Sequence, residues 1–363
     1  MKMIIFYLML ILTPVFNVYC DEVEDKQQDL RKQVVFTELI KPSDIRLDDP
    51  QFIHLAMIIT NVNKKELVPK ILTVFSKNFN SILNTLKDTP LHLMLITDET
   101  SKPKVENIIL QCIGRLLSES VILRSRDGFI TFPRFFVEFV NISPIIQQNR
   151  ETIDVMKTLF SKEETLPLKH EGAVVVISPK YREDLFYIGP FYHTSFPSLN
   201  RLMVFDVDLE IKEDLAVLNK QFDTMDSSEV IGVVLDQTGY YFHMSEYITK
   251  TNGVSLPQDK ILGLNTGVVL FNLEEMRKSE LYLEQVQINR IKQLYNHFKV
   301  NGWVVGDQEW FNLLMWRYPH LYKVLPCEYN VQSVPVKLDQ TMVRCTADIR
   351  ILHTHGDMHE VKQ

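Results

Sequence analysis

Two apolar runs separated by a helical pattern constrain this chain most. Leu55-Ala56-Met57-Ile58-Ile59 and His92-Leu93-Met94-Leu95-Ile96 lack the polar alternation of a strand with a wet face. They read as strands buried on both sides. Between them Leu67, Ile71, Phe75, Phe79 and Ile82 recur at steps of four, four, four and three, the stripe of a helix packed on a sheet. Strand, helix and strand in that order open a parallel sheet with a right-handed crossover, so the expected class is α/β. With 363 residues, 45% of them hydrophobic, the chain has enough apolar side chain for one large domain, or two small ones sharing a core.

The second half repeats the signal. Arg201 to Phe205 reads as a strand running into Asp206-Val207-Asp208, and Val230 to Leu235 and Val268 to Phe271 read as two more. A long helix from Leu281 is expected to carry Ile288, Ile291, Tyr295 and Phe298, and a second helix to span Trp310 to Trp316. Arg350-Ile351-Leu352 is a short last strand leading to His353. In the middle, Val105 to Leu117 suggests a helix, Val121 to Leu123 and Ala173 to Ile177 suggest strands, and the charged stretch 161–171 suggests an exposed loop.

The N-terminus has one lysine before an apolar run from Ile4 to Cys20, then Asp21, Glu22, Glu24 and Asp25. Residues 1–20 therefore read as a secretory signal peptide or a short signal anchor. The charged, aperiodic stretch 21–50 reads as a flexible stem, and 51–363 as the folded domain, delivered to the secretory lumen. Cys327 and Cys345 enclose a short loop where a disulfide would stabilise by about 3 kcal/mol. Cys112 is expected as a buried thiol, and Asn141-Ile142-Ser143 is a glycosylation sequon followed by Pro144. Thirty-nine Lys and Arg against 46 Asp and Glu give a net charge of −7, the wrong sign for a protein that neutralises nucleic-acid phosphates.

Several segments could carry chemistry. In an extended segment, Asp206 and Asp208 would point to one face just where a buried strand ends. Oxygen-rich pairs there suit Mg²⁺ or Mn²⁺ and a bridged phosphate. The alternative is a solvated strand end. His353-Thr354-His355-Gly356 offers an imidazole as a third ligand, or ordinary surface polarity. Leu264-Asn265-Thr266-Gly267 reads as a small polar turn where a sugar could approach the backbone, or as a turn and nothing more. Asp307, in Gly306-Asp307-Gln308-Glu309, is either catalytic or a cap or first-turn acid of the helix that follows. Tyr240-Tyr241-Phe242-His243 reads as core or surface aromatics.

Taken in order, the DVD strand end, LNTGVVLFN, GDQE, CEYNVQ and ILHTHG strongly resemble glycosyltransferase family 8, the retaining, glycogenin-like group. Within it the sequence is most similar to the xyloside xylosyltransferases. The resemblance spans about 53–356. It implies a GT-A fold, a single Rossmann-like mixed sheet flanked by helices, and a Mn²⁺-dependent transfer from a UDP-sugar, Mg²⁺ being the alternative cation. UDP-xylose is the implied donor, with UDP-glucose or UDP-galactose as alternatives, and xylosyl-glucose on an EGF-like repeat is the implied acceptor. It implies cation ligation by Asp206, Asp208 and His353. Ile59, Thr60, Asn61, Asp206, Asn265, Thr266, Gly267 and Gly356 are implied around the donor, and Asp307 and Gln308 beside the anomeric carbon. Arg182 and Asp184 match a segment that flanks the donor. The sequence departs from the family at His359, where relatives carry a diphosphate-binding lysine, and in the stretch between the two cysteines, which looks short. The competing readings are a lectin-like or chaperone-like protein on the same fold, and a nucleotidyl enzyme. The implied address is the endoplasmic reticulum or Golgi lumen, with membrane contact only through an N-terminal anchor.

Overall fold

The computed structural model describes residues 52–62, 68–87, 89–109, 111–112, 135–160, 183–299, 306–333 and 345–354. The expected leader, stem, two middle strands and charged loop, together with Arg182, His355, Gly356 and His359, lie outside the described residues.

Among the described residues, seven strands form one sheet: β1 (Ile53–Ile59), β2 (Leu91–Thr97), β3 (Phe135–Asn141), β4 (Arg201–Phe205), β6 (Ile231–Leu235), β7 (Leu264–Asn272) and β8 (Tyr322–Val324). Their order is β3-β2-β1-β4-β7-β6-β8. Neighbours are parallel except around β7, which runs against both β4 and β6. A second sheet, in the order β5-β10-β9, joins β5 (Leu209–Ile211) to β9 (Val331–Gln332) and β10 (Ile351–His353). The expected α/β class with a mixed sheet is what the chain adopts.

The apolar runs explain the sheet. Every residue of β2 is buried, as are all but Ile58 of β1, because helices cover both faces. Helix α1 (Val68–Thr85) packs Phe75, Phe79 and Ile82 into a core shared with β1, β2 and β4. Helices α2 (Ile142–Gln148), α3 (Arg150–Phe160), α4 (Tyr240–Asn252), α5 (Ile288–Phe298) and α6 (Asp307–Arg317) contribute to the core on the other face. Asn141 ends β3 and caps α2 by accepting from Ser143 N at 2.9 Å, so the sequon asparagine also has a local role.

Two sequence expectations change. The long helix from Leu281 divides: one helix covers Glu280–Gln285, and α5 begins only at Ile288. Val286 and Gln287 lie between them, with Gln287 extended at φ −73°, ψ 140°. The period is real on each side, but it does not run through the break. Asn265-Thr266-Gly267 is not a turn before a strand. It belongs to β7, which stays in register with β4 but shifts against β6, Val233 pairing with Val269 and Val234 with Asn265. Such a bulge re-aims side chains at a sheet edge.

The reversal of β7 decides what meets at that edge. Phe205, at the carboxyl end of β4, pairs with Val268, near the start of β7. A nine-residue strand rises about 3.3 Å per residue, so a parallel β7 would carry residues 265–267 roughly 25 Å away. Instead the ends of β1, β2 and β4 and the beginning of β7 share one edge.

Candidate functional site

Asp206-Val207-Asp208 is the turn that links β4 to β5, not an extended segment. Its carboxylates converge by turn geometry, and the backbone is held from three sides. Asp206 N–H donates to Gly267 O at 2.9 Å. Asn78 Nδ2 on α1 donates to Asp206 O at 3.2 Å. Thr354 N and Oγ1 both donate to Asp208 O, at 3.0 and 2.8 Å.

The pairing of β10 with β5 sets His353 opposite Leu209, beside that turn. His353 Nε2 lies 3.6 Å from an Asp206 oxygen and 3.4 Å from an Asp208 oxygen. One ligand atom from each of the three residues falls within 4.8 Å of the others. The His353 side chain is 5% exposed and that of Asp208 17%, while Asp206 at 55% leaves the group open on one side. Burial pushes the His353 pKa down, but Asp208 and Asp206 outweigh it and raise it. Two carboxylates and one imidazole with an open side suit a Mn²⁺ or Mg²⁺ that still has positions for phosphate oxygens.

Behind the imidazole stands a chain of polar side chains of which the sequence reading assigned only Asn265. His353 Nδ1 is 3.1 Å from Asn330 Oδ1. Asn330 Nδ2 donates to Asn265 Oδ1 at 2.9 Å, and the same oxygen accepts from Gly267 N–H at 2.9 Å. The Asn265 side chain also hydrogen-bonds Asp236, a buried carboxylate at the end of β6 that burial raises to about 6. A Cβ on Gly267 would stand 2.5 Å from His353 Nδ1, so the glycine makes room for the ring. An acid directly after the apolar run Ile231–Leu235 is the same signal that marks Asp206, and it could have flagged Asp236. Asn330, inside CEYNVQ, carries no comparable mark.

Helix α6 brings Asp307 and Gln308 to the same region. Gly306 precedes them at φ 79°, ψ −139°, a region essentially confined to glycine. Asp307 is therefore a first-turn acid and not the cap. Its Oδ2 accepts from Gly189 N–H at 3.0 Å, and burial, with Asp206 nearby, raises it to about 8. Gln308 is held at both ends. Its Oε1 accepts from Thr266 N at 2.8 Å and Thr266 Oγ1 at 2.6 Å, and its Nε2 donates to Tyr241 OH at 2.9 Å. Tyr241 in turn donates to the fully buried Glu309 at 3.0 Å, so one of the four aromatics at 240–243 supports the site.

Ile59, Thr60 and Asn61 lie at the end of β1. Asn61 takes φ 61°, and its N–H donates to Asp98 Oδ2 at 2.8 Å. Burial would raise Asp98, but hydrogen bonds from Thr100, Asn61 and Ser101 lower it to about 2, so it is a carboxylate that fixes the loop. The Asn61 amide also reaches Glu183. Asp184 points elsewhere: Arg150 and Lys157 hold its carboxylate at 2.8 and 2.6 Å.

Comparison with known proteins gives the family and the fold. The model of Glycosyl transferase family 8 matches residues 76–358. Over 185 residues the chain is 29% identical to Xyloside xylosyltransferase 1 of Mus musculus, a stretch covering 48% of this chain and 47% of that protein. The chain thus matches about half the length of that relative. Over 201 residues it is 25% identical to Xylosyl- and glucuronyltransferase LARGE2 of Mus musculus, covering 55% of this chain and 27% of the relative. The crystal structure of mouse Xyloside xylosyltransferase 1, apo form, superposes with a TM-score of 0.64 at 22% identity, over 84% of this chain and 98% of that one. That likeness is one of fold.

Proposed function

The chain belongs to glycosyltransferase family 8, and from that premise we propose that it transfers xylose from UDP-xylose to a glycan acceptor with retention of anomeric configuration. The observation that carries the reading is the convergence of Asp206, Asp208 and His353 at the strand edge. The donor is suggested by the xylosyltransferases among its relatives. Xylosyl-glucose on an EGF-like repeat is the acceptor that the sequence resemblance implies, and the lumen of the endoplasmic reticulum or Golgi is the address. Among the described residues no helix is long and apolar enough to cross a membrane.

Asp206, Asp208 and His353 would hold Mn²⁺ or Mg²⁺, which as a Lewis acid neutralises charge on the departing diphosphate. Ile59, Thr60 and Asn61 frame the nucleotide, with Asp98 fixing the backbone at Asn61. Gln308 stands beside the anomeric carbon. Thr266 and Tyr241 fix its amide at both ends, so the side chain needs no reordering when a donor arrives. Asp307, raised to about 8, holds its proton at neutral pH and is a poor nucleophile there. That favours front-face attack over double displacement. The acceptor hydroxyl then enters on the side the diphosphate leaves, and its proton passes to a phosphate oxygen. The carboxyl of Asp307 stays neutral and braces the 189 backbone.

The test is a donor screen. Purified lumenal domain is incubated with UDP-xylose, UDP-glucose or UDP-galactose, with and without Mn²⁺, and free UDP is measured. Release from UDP-xylose that requires Mn²⁺ and drops at least about 100-fold in Asp208→Ala is the expected result. Metal-independent release, or three intact donors, would sink the proposal.

A further inference from the structure

The hydrogen bonds behind His353 can be oriented from one atom whose role is not in question. A backbone N–H only donates. Gly267 N–H points at Asn265 at 2.9 Å, so the atom it meets is the oxygen of that amide. The same oxygen is 2.9 Å from Asn330, which must present its NH₂ there. An amide that turns its nitrogen to one neighbour turns its oxygen to the other. Asn330 therefore shows Oδ1 to His353 Nδ1 at 3.1 Å, and Nδ1 must carry the proton. In a neutral imidazole a protonated Nδ1 leaves Nε2 with its lone pair, and Nε2 is the atom that faces Asp206 and Asp208.

The remaining end of the chain is also fixed. The Asn265 amide nitrogen is taken up by Asp236, which itself accepts from Thr238 N at 3.0 Å and Thr238 Oγ1 at 2.7 Å. Asn330 is fully buried, Asn265 nearly so, and no water is needed to complete the set. The Asn265 oxygen, with Gly267 N–H and the Asn330 amide already on it, is not left to receive a sugar hydroxyl.

We propose that Asn330, held by Asn265, is a positioning residue of the cation site. It relays the direction of the Gly267 backbone amide to the His353 ring, so that the ring offers an unprotonated Nε2 to a divalent cation. This rests on the reading of Asp206, Asp208 and His353 as a cation site. It also changes the place of Asn265, which supports the ligand from behind and does not grip the donor through its oxygen. Partners of this kind orient a ligating histidine and raise its basicity, and losing one typically weakens metal binding about 10–100-fold.

The experiment has two parts. First, histidine-labelled, metal-free protein is examined by nitrogen NMR at a pH where the ring is neutral, with His353→Gln assigning the signal. Nδ1 protonated and Nε2 bare is the expected result; the opposite tautomer overturns the relay, with no variant needed. Second, Mn²⁺ is titrated calorimetrically into wild type, Asn330→Ala and Asn330→Asp. Asn330→Ala should bind Mn²⁺ about 10–100-fold more weakly and yet recover most of its turnover at saturating Mn²⁺. Asn330→Asp keeps an oxygen for Nδ1–H but sets its other oxygen against Asn265 Oδ1, so it should recover only part of the affinity. Equal affinity in wild type and Asn330→Ala overturns the proposal. Wild-type protein that takes up no Mn²⁺ overturns the cation reading itself. The tautomer, read without metal, distinguishes that failure from a failure of the relay.

Discussion

A single methyl group at position 267 would collide with the ring of His353. Gly267→Ala is expected to displace that ring and weaken Mn²⁺ binding by about tenfold or more, read by calorimetry, with the far-ultraviolet circular dichroism unchanged. Asp307 gives a prediction of a different kind. It ionises near 3.8 when exposed but near 8 in the fold. Between those values the folded state holds the extra proton, so this group makes the protein less stable as pH rises from about 4 to 8. Asp307→Asn removes that dependence and can still accept from Gly189. The variant should melt close to wild type near pH 4 and increasingly above it toward pH 8. A constant gap across that range would contradict the burial argument. Individual roles are where the sequence says least. Asp206 and His353 draw notice as a charge after a strand and a histidine near another, but their meeting is invisible to local pattern and reaches the reader only through resemblance. Asn330 is one asparagine among many until its two neighbours are seen.

At the level of elements, α6 shows how burial and chemistry combine. From Glu309 to Trp316 every residue is buried, so the helix has no wet face and its position is set all round. Asn312 stitches it to the start of β7, accepting from Leu264 N at 2.7 Å and donating to Leu264 O at 3.2 Å. Asn312→Ala would leave two buried backbone groups unpaired, a loss of about 1–3 kcal/mol for each that stays dry. Urea denaturation should show it as a lower midpoint with an unchanged slope. Because Gln308 begins the same helix, turnover should fall as well. Elements of this length are legible in the sequence when one period runs through them, as in β1, α1 and β2. They are misread where a period is interrupted without a proline or glycine, as at Val286-Gln287, or where a strand bulges, as at Thr266. Both depend on neighbours distant in sequence.

Across the whole molecule, the site depends on a reversed strand and on a small sheet that pairs residues 209–211 with 351–353. Alternating strands and helices announce the α/β class, but nothing local announces which strand runs backwards. That order is a matter of packing. The expected disulfide is present between Cys327 and Cys345 and spans the approach to β9 and β10, while Cys112 is buried beside Ser76. In the loop-entropy model the bridge contributes about 3 kcal/mol. Cys327→Ser with Cys345→Ser should therefore lower the melting temperature by several degrees, on the order of 3–10 °C, and loosen Mn²⁺ binding through β10. The pairing of β5 with β10 has a consequence for the newborn chain. Contacts between segments so remote form late, since a long loop must close before they repay it. The pairing of β1 with β4 at the centre of the large sheet closes an equally long stretch of chain, so the histidine corner and that centre face the same cost. Joining the two sulfurs beforehand turns the meeting of β9 and β10 into a local event. Oxidised chains are therefore expected to close β9 on β10 faster than reduced ones, with refolding rates of the two forms as the measure.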